Sequence, residues 1–114
     1  MDNCIFCKII AGEIPSTKVY EDEKTYAFYD LNPQAKQHVL VVGKRHHNNI
    51  VEACEDSIDT VSACINTCTI VAKQLGIDKT GFRIVTNCGK DACQSVFHLH
   101  FHVIGGEKLS ERMA

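Results

Sequence analysis

An α+β fold with a mainly antiparallel five-stranded sheet follows from three features of the sequence. Strand-like runs come in groups, three before and two after one long helical stretch. That helical stretch repeats apolar residues every three or four positions, whereas the other runs alternate by two. The resulting order, a short helix, three strands, a long helix and two strands, lacks the strict βαβ alternation of a doubly wound sheet.

The elements follow in chain order. Residues 4–11 (CIFCKIIA) read as a short N-terminal helix ended by Gly12. Residues 17–21, 25–30 and 38–42 are rich in aromatic and β-branched side chains and read as strands. Pro15 and Pro33, the only two prolines, mark turns, and residues 31–36 join the second and third strands. A short helical turn is expected around residues 49–54. In the long helix, Ile58, Val61, Ile65, Cys68, Ala72 and Leu75 make one apolar stripe. Asp56 or Ser57 can cap its start, and Gly76 suits its end. Residues 82–86 and 97–104 are the last two strands, and Gly105 and Gly106 stop the second.

The 114 residues suit one domain, 1–114, with one modest core. A content of 45% apolar and 23% charged residues is that of a folded globular chain. The net charge of −2 gives no electrostatic reason for a nucleic-acid backbone or an anionic membrane as partner. A compact anionic ligand remains compatible with it. No run approaches the ~20 apolar residues of a membrane span. Asp2 comes early and Lys8 interrupts the first apolar run, the wrong order for a secretory signal, so a cytoplasmic protein is expected. The seven cysteines are odd in number, and Cys64 and Cys68 fall on the long helix. Buried thiols with one metal site fit better than a disulfide framework.

Residues 94–104 (QSVFHLHFHVI) are the most informative segment. In a strand, His98, His100 and His102 form one polar row on an exposed ledge, with Leu99, Phe101 and Val103 on the other side. Such a row admits three readings: an exposed face that happens to carry histidine, a metal site, or phosphate chemistry. Neutral imidazole attacks phosphorus well, and its phosphoramidate is labile enough to hydrolyse. A zinc ion shared by the whole row would occupy His100, and His98 and His102 lie about 13 Å apart along a strand.

The pattern HLHFHVI over residues 98–104 resembles the His-φ-His-φ-His-φ-φ signature of the histidine triad family, where φ is apolar. The resemblance extends to CIFCKII (4–10), DLNP (30–33), HVLVV (38–42), Asn87, QSV (94–96), Gly105 and Gly106, in the same order. It covers about residues 4–106 and is closer to the Hint-like nucleoside phosphoramidases than to the Fhit-like dinucleoside polyphosphate hydrolases.

The resemblance implies roles. His100 is the nucleophile and passes through a nucleotidyl-histidine intermediate. His102 faces the phosphate and supplies the departing proton, and His98 orients the row or binds metal. His38 holds the other ring nitrogen of the nucleophile. Asn87 and Ser95 sit against the phosphate and leaving group, in a loop where Cys93 replaces the Gly of many relatives. Asp30 accepts hydrogen bonds from the ribose hydroxyls, although read alone it starts the turn before Pro33. Ile5, Phe6, Phe28 and Leu31 line the base pocket, and alone they read as core. An apolar slot of this kind suits a purine nucleotide with little discrimination.

Cys4 and Cys7 alone are a weak metal signal. With His46 and His98 they make a closed Cys₂His₂ set suited to structural Zn²⁺, an arrangement that resembles some bacterial triad proteins. His47 is the rival to His46. The zinc ties the N-terminal helix to the catalytic strand and is not the catalyst.

The expected function is therefore hydrolysis at the α-phosphate of purine nucleoside 5′-phosphoramidates. The alternatives are dinucleoside polyphosphate or nucleotidyl sulfate hydrolysis, or a zinc-stabilised nucleotide-binding module with negligible turnover. By resemblance the chain forms a homodimer through the long helix and a strand, giving one continuous sheet. The polar tail 107–114 lacks the aromatic and proline residues that shape the leaving-group site in some relatives.

Overall fold

Alternating apolar residues build one sheet with two different faces. The structure, a computed structural model, describes residues 3–113. The expectation resting on Asp2, and the tail's last residue, Ala114, lie outside them. Helix α1 (Ile5–Ile10) leads into strands β1 (Lys18–Glu21), β2 (Thr25–Tyr29) and β3 (Gln37–Gly43). Helices α2 (Ile50–Asp56) and α3 (Ile58–Gln74) follow, then strands β4 (Phe82–Val85) and β5 (His100–Gly105). The strands form one antiparallel sheet in the order β1-β2-β3-β5-β4, the expected α+β architecture.

The period of two divides each central strand between the faces. Val39, Val41, Phe101, Val103 and Ala27 join Cys64, Cys68, Val71 and Ala72 of α3 in the larger core. Leu40, Val42, Tyr26 and Phe28 form a second core with Phe6 and Ile9 of α1. His100 pairs with Val42 and His102 with Leu40, so both imidazoles belong to this second face. The short α1 covers part of that face and leaves the rest for a site.

Helix α3 is turned away from the expected stripe. Ile58 is 59% and Ile65 40% exposed, while Thr60, Cys64, Thr67, Cys68, Val71 and Ala72 are buried. Closeness explains it: a Cβ at Gly43 would lie 2.9 Å from Thr60 Cγ2 and 3.7 Å from Cys64 Sγ. Only small side chains fit between this helix and β3, so the isoleucines turn outward. Thr67 meets its hydrogen-bonding need there by sharing a proton with Thr25 Oγ1 at 2.7 Å. Burial pushes the Cys64 and Cys68 thiols up to about 12, so they pack as small neutral groups.

Two expectations at element ends are corrected. Ser57 stands at the start of α3 without a side-chain capping bond, and Asp56 is the last residue of α2. The strand expected over residues 97–104 begins only at His100. The reason is that the Leu99 N–H donates to the His47 carbonyl at 2.7 Å instead of joining the sheet. Among the described residues, no helix is long and apolar enough to cross a membrane.

Candidate active site and metal centre

Four histidines have their ring protons assigned by partners that can play only one role. A backbone carbonyl can only accept, so His100 Nδ1, 2.7 Å from the His98 carbonyl, carries the proton. Its Nε2 then keeps a lone pair. That atom makes no hydrogen bond to a described residue and is not among the fully buried unpartnered atoms, so it opens to the surface. The Phe6 ring stands edge-on to His100 with centroids 5.0 Å apart.

The row is not an exposed ledge. His98 is 0% and His100 7% exposed. Burial lowers the pKa of both rings, His98 to about 4, so each is neutral at pH 7. His98 leaves the row altogether: its Nε2–H donates to the Gly43 carbonyl at 2.6 Å, and its Nδ1 faces Cys4 Sγ at 3.3 Å.

His98 Nδ1 is one corner of a four-ligand cluster with Cys4, Cys7 and His46. Cys7 Sγ lies 3.4 Å from His46 Nδ1 and 3.5 Å from His98 Nδ1, and the two ring nitrogens are 3.1 Å apart. Tetrahedral Zn²⁺, with sulfur at ~2.3 Å and nitrogen at ~2.0–2.1 Å, sets nitrogen roughly 3.3–3.4 Å from nitrogen, roughly 3.5–3.6 Å from sulfur, and the two sulfurs roughly 3.8 Å apart. Tautomers agree with that geometry. Asn48 Nδ2 donates to Glu52 at 3.2 Å, so its Oδ1 accepts from His46 Nε2–H at 3.0 Å and leaves His46 Nδ1 free to ligate. Burial, followed by the Cys4 neighbour, pushes the Cys7 thiol up to about 11. A dication offsets that by holding the thiolate. The donor set fits zinc, and it is the set expected from the sequence; the rival His47 lies elsewhere.

Asp30, His38 and His102 form a second group of possible ligands, but its protons argue for a different use. The Gln34 N–H donates to His38 Nδ1 at 3.0 Å, so His38 carries its proton on Nε2. That proton faces His102 Nδ1 at 2.8 Å, with Asp30 Oδ2 at 3.4 Å. A metal on His38 Nε2 would force a proton onto Nδ1, against the Gln34 N–H. The chain of donors instead leaves His102 with its proton on Nε2. Burial, reinforced by the neighbouring His100 and His38, lowers His102 to about 4, and burial lowers His38 despite Asp30. The resemblance sets His38 against the ring of His100; it bonds His102 instead, and the His98 carbonyl takes its expected place.

The remaining expected site residues are brought together unevenly. Phe6 and Phe28 are buried and meet edge-on at 5.7 Å. Ile5 and Ser95 line a cavity of about 670 Å³ that opens beside the metal cluster and also touches Asn48 and Phe97. Leu31 is 97% exposed in its turn. Asn87 is half-buried, and its side chain bonds no described residue. Asp30 does start the turn that its sequence suggests, accepting from Asn32 N at 2.8 Å with Oδ1, while Oδ2 faces His38. Cys93 has φ +60, the left-handed conformation that favours glycine.

Several positioning groups were not visible in the sequence. The Thr86 hydroxyl donates to the His100 carbonyl at 2.8 Å. Gly43 and Gln34 act through their backbones, and a backbone group leaves no mark on residue identity. Gln94 is the exception that a buried polar residue beside the motif signals: it accepts from Gly89 N and donates to the Asn48 carbonyl.

Comparison with known proteins places this geometry in context. A family model described as the HIT domain matches residues 11–109. A 14 kDa zinc-binding protein of Brassica juncea is 47% identical over 108 residues, covering 93% of this chain and 95% of that protein. Adenylylsulfatase HINT1 of Arabidopsis thaliana is 45% identical, covering 93% of this chain and 73% of that protein. The solved structure of a HIT family hydrolase from Clostridium thermocellum superposes with a TM-score of 0.96 at 43% identity, covering 100% of this chain and 99% of that one.

Proposed function

The chain belongs to the HIT domain family, and from that premise we propose that it is a nucleotide-binding hydrolase of purine nucleoside 5′-phosphoramidates. The observation that carries this reading is the His100 ring: its Nδ1–H is held by the His98 carbonyl, and its Nε2 lone pair bonds no described residue. A neutral, tautomer-fixed imidazole is a competent nucleophile at pH 7.

Two displacements follow. As the anionic phosphate seats, it draws a second proton from solvent onto His102 Nδ1, and His38 turns its Nε2–H to Asp30 Oδ2, 3.4 Å away. His100 Nε2 bonds to the α-phosphorus as the bond to the leaving amine breaks, and the amine takes the Nε2 proton of this His102 imidazolium, which becomes a neutral imidazole. Water then attacks phosphorus, the histidine–phosphorus bond breaks, and the water's proton returns to His102. In the free site His38 holds His102 in register. Asp30 takes the ribose hydroxyls, Phe6, Phe28 and Ile5 flank the base, and Asn87 and Ser95 hold the phosphate; the exposed Leu31 contributes only after a local movement.

Cys4, Cys7, His46 and His98 hold a structural Zn²⁺, in keeping with the zinc-binding name of the Brassica relative. Bound there, the ion supplies cross-linking of α1 to the histidine segment and leaves His100 unligated. The protein acts as a homodimer, with neither nucleic acid nor membrane as partner. A second substrate class, nucleotidyl sulfates, is favoured by the adenylylsulfatase name of the Arabidopsis relative.

Intact-mass analysis after mixing with an AMP–amine substrate tests the nucleophile. Wild type is expected to gain one nucleotidyl group. His100→Ala is expected to gain none, to lose at least ~10³-fold in kcat, and to keep AMP affinity within a few-fold. Turnover at the wild-type rate in His100→Ala would remove the assignment. Running adenylyl sulfate and a diadenosine polyphosphate in parallel ranks the substrate classes.

A further inference from the structure

The segment between β3 and α2 carries a second histidine that the reaction above does not use. His47 is 3% exposed. Its Nε2–H donates to Asp56 Oδ2 at 2.8 Å, and its Nδ1 is the buried side-chain atom without a partner among the described residues. Asp56 Oδ2 also accepts from Arg45 Nη2 at 2.7 Å. The salt-bridged carboxylate is held below the ordinary range by His47 first and Arg45 second. An aliphatic side chain would fill the same space with no unpartnered nitrogen, so packing alone does not explain an imidazole here.

What the ring does lies in the backbone it fixes. The His47 carbonyl receives the Leu99 N–H at 2.7 Å, and Leu99 is the residue between His98 and His100. The next carbonyl, of Asn48, receives Gln94 Nε2 at 2.6 Å, and Gln94 Oε1 in turn accepts from Gly89 N at 2.9 Å. His46, immediately before, is a corner of the four-ligand cluster. Two consecutive carbonyls therefore carry the histidine segment and the 87–95 loop. The segment presenting them is tied to α2 at two places: Asp56 at its end accepts from His47 and Arg45, and Glu52 accepts from Asn48 N at 3.1 Å and Asn48 Nδ2 at 3.2 Å. Of these, only the His47 bond acts from a buried ring on the residue whose carbonyl holds Leu99.

We propose that the His47–Asp56 pair is a positioning device. By fixing residues 45–48 against α2, it sets the height of the His98–His100 backbone and the placement of His46 together. His47 touches neither substrate nor metal. The proposal rests on the reading of His100 as nucleophile for its kinetic arm, whereas its metal arm stands on the cluster geometry alone.

The test compares wild type with His47→Leu, Asp56→Ala and Asp56→Asn. The measurements are kcat and KM on an AMP–amine substrate, Co²⁺ affinity with its thiolate absorption band, and thermal midpoint. Asp56→Ala and His47→Leu are expected to lower kcat about tenfold, because a small misplacement of a reacting group is costly, with KM within about twofold. Both are expected to weaken Co²⁺ about tenfold and to shift its absorption, the usual effect of disturbing a ligand's supports. Asp56→Asn keeps an acceptor for His47 Nε2–H and is expected to restore all three readouts. The Asp56 side chain is 48% exposed, so its variants stay folded even if His47→Leu does not. Unchanged kcat and Co²⁺ binding in Asp56→Ala, with or without a lower thermal midpoint, would overturn the proposal. So would Asp56→Asn behaving like Asp56→Ala. If wild type itself fails to turn over AMP–amines, the hydrolase reading falls while the Co²⁺ arm still decides the role of His47.

Discussion

His102 shows how much chemistry one proton's location carries. Its Nδ1 accepts from His38, whose own tautomer is set by the Gln34 N–H. Burial holds His102 at about 4, below the ordinary 6.5. For a histidine depressed by folding, the unfolded chain binds more protons between those two values, so stability is complete above 6.5 and is lost as pH falls toward 4. Thermal midpoints measured from pH 7.5 to 4.5 are expected to fall along that window. The acid limb of kcat/KM is expected to bend below 6.5, as both His100 and His102 are lowered by burial. An inflection above 6.5 would contradict neutral imidazoles in the free site. Cys93 gives an independent residue-scale expectation. A non-glycine residue at φ +60 costs about 1 kcal/mol, so Cys93→Gly is expected to raise the thermal midpoint by roughly 4 °C.

At the scale of elements, α1 is too short to hold itself in place. Its six residues bury only Phe6 and Ile9, less than an isolated helix needs. The Cys4, Cys7, His46 and His98 cluster fastens it to the β3–α2 segment and to the residues before β5. A metal present at a hundred times its dissociation constant stabilises the fold by about 2.7 kcal/mol. Chelation, or Cys7→Ser, is therefore expected to lower the thermal midpoint by roughly 10 °C. Metal content by mass spectrometry under native conditions should fall from one ion per chain to none. A chelated protein melting with the untreated one would argue against a structural ion.

At the scale of the whole molecule, Val51 of α2 and Ile58 and Ile65 of α3 are exposed, and β4 is a half-buried strand at one edge of the sheet. Contiguous exposed apolar surface is what an interface between chains covers. A dimer is the proposed occupant, in line with the family resemblance. Sedimentation velocity is expected to show two chains per particle, and Ile58→Glu with Ile65→Glu to shift it to one, with the helical circular dichroism retained. A monomeric wild type at micromolar concentration would remove the dimer.

The sequence by itself determined the α+β class, the strand grouping and the division of β5 into an apolar face and a histidine face. Each is written in local periodicity or in residue types that do one thing well. Only the tertiary structure decided the rotation of α3, because the closeness of Gly43 to Thr60 outweighs the apolar stripe. It alone moved His98 out of the row, since the His47 carbonyl claims the Leu99 N–H, and gave His38 to His102 rather than to His100. The difference has one cause: side-chain pattern is carried by residue identity, whereas hydrogen bonds to distant backbone groups depend on where the chain returns.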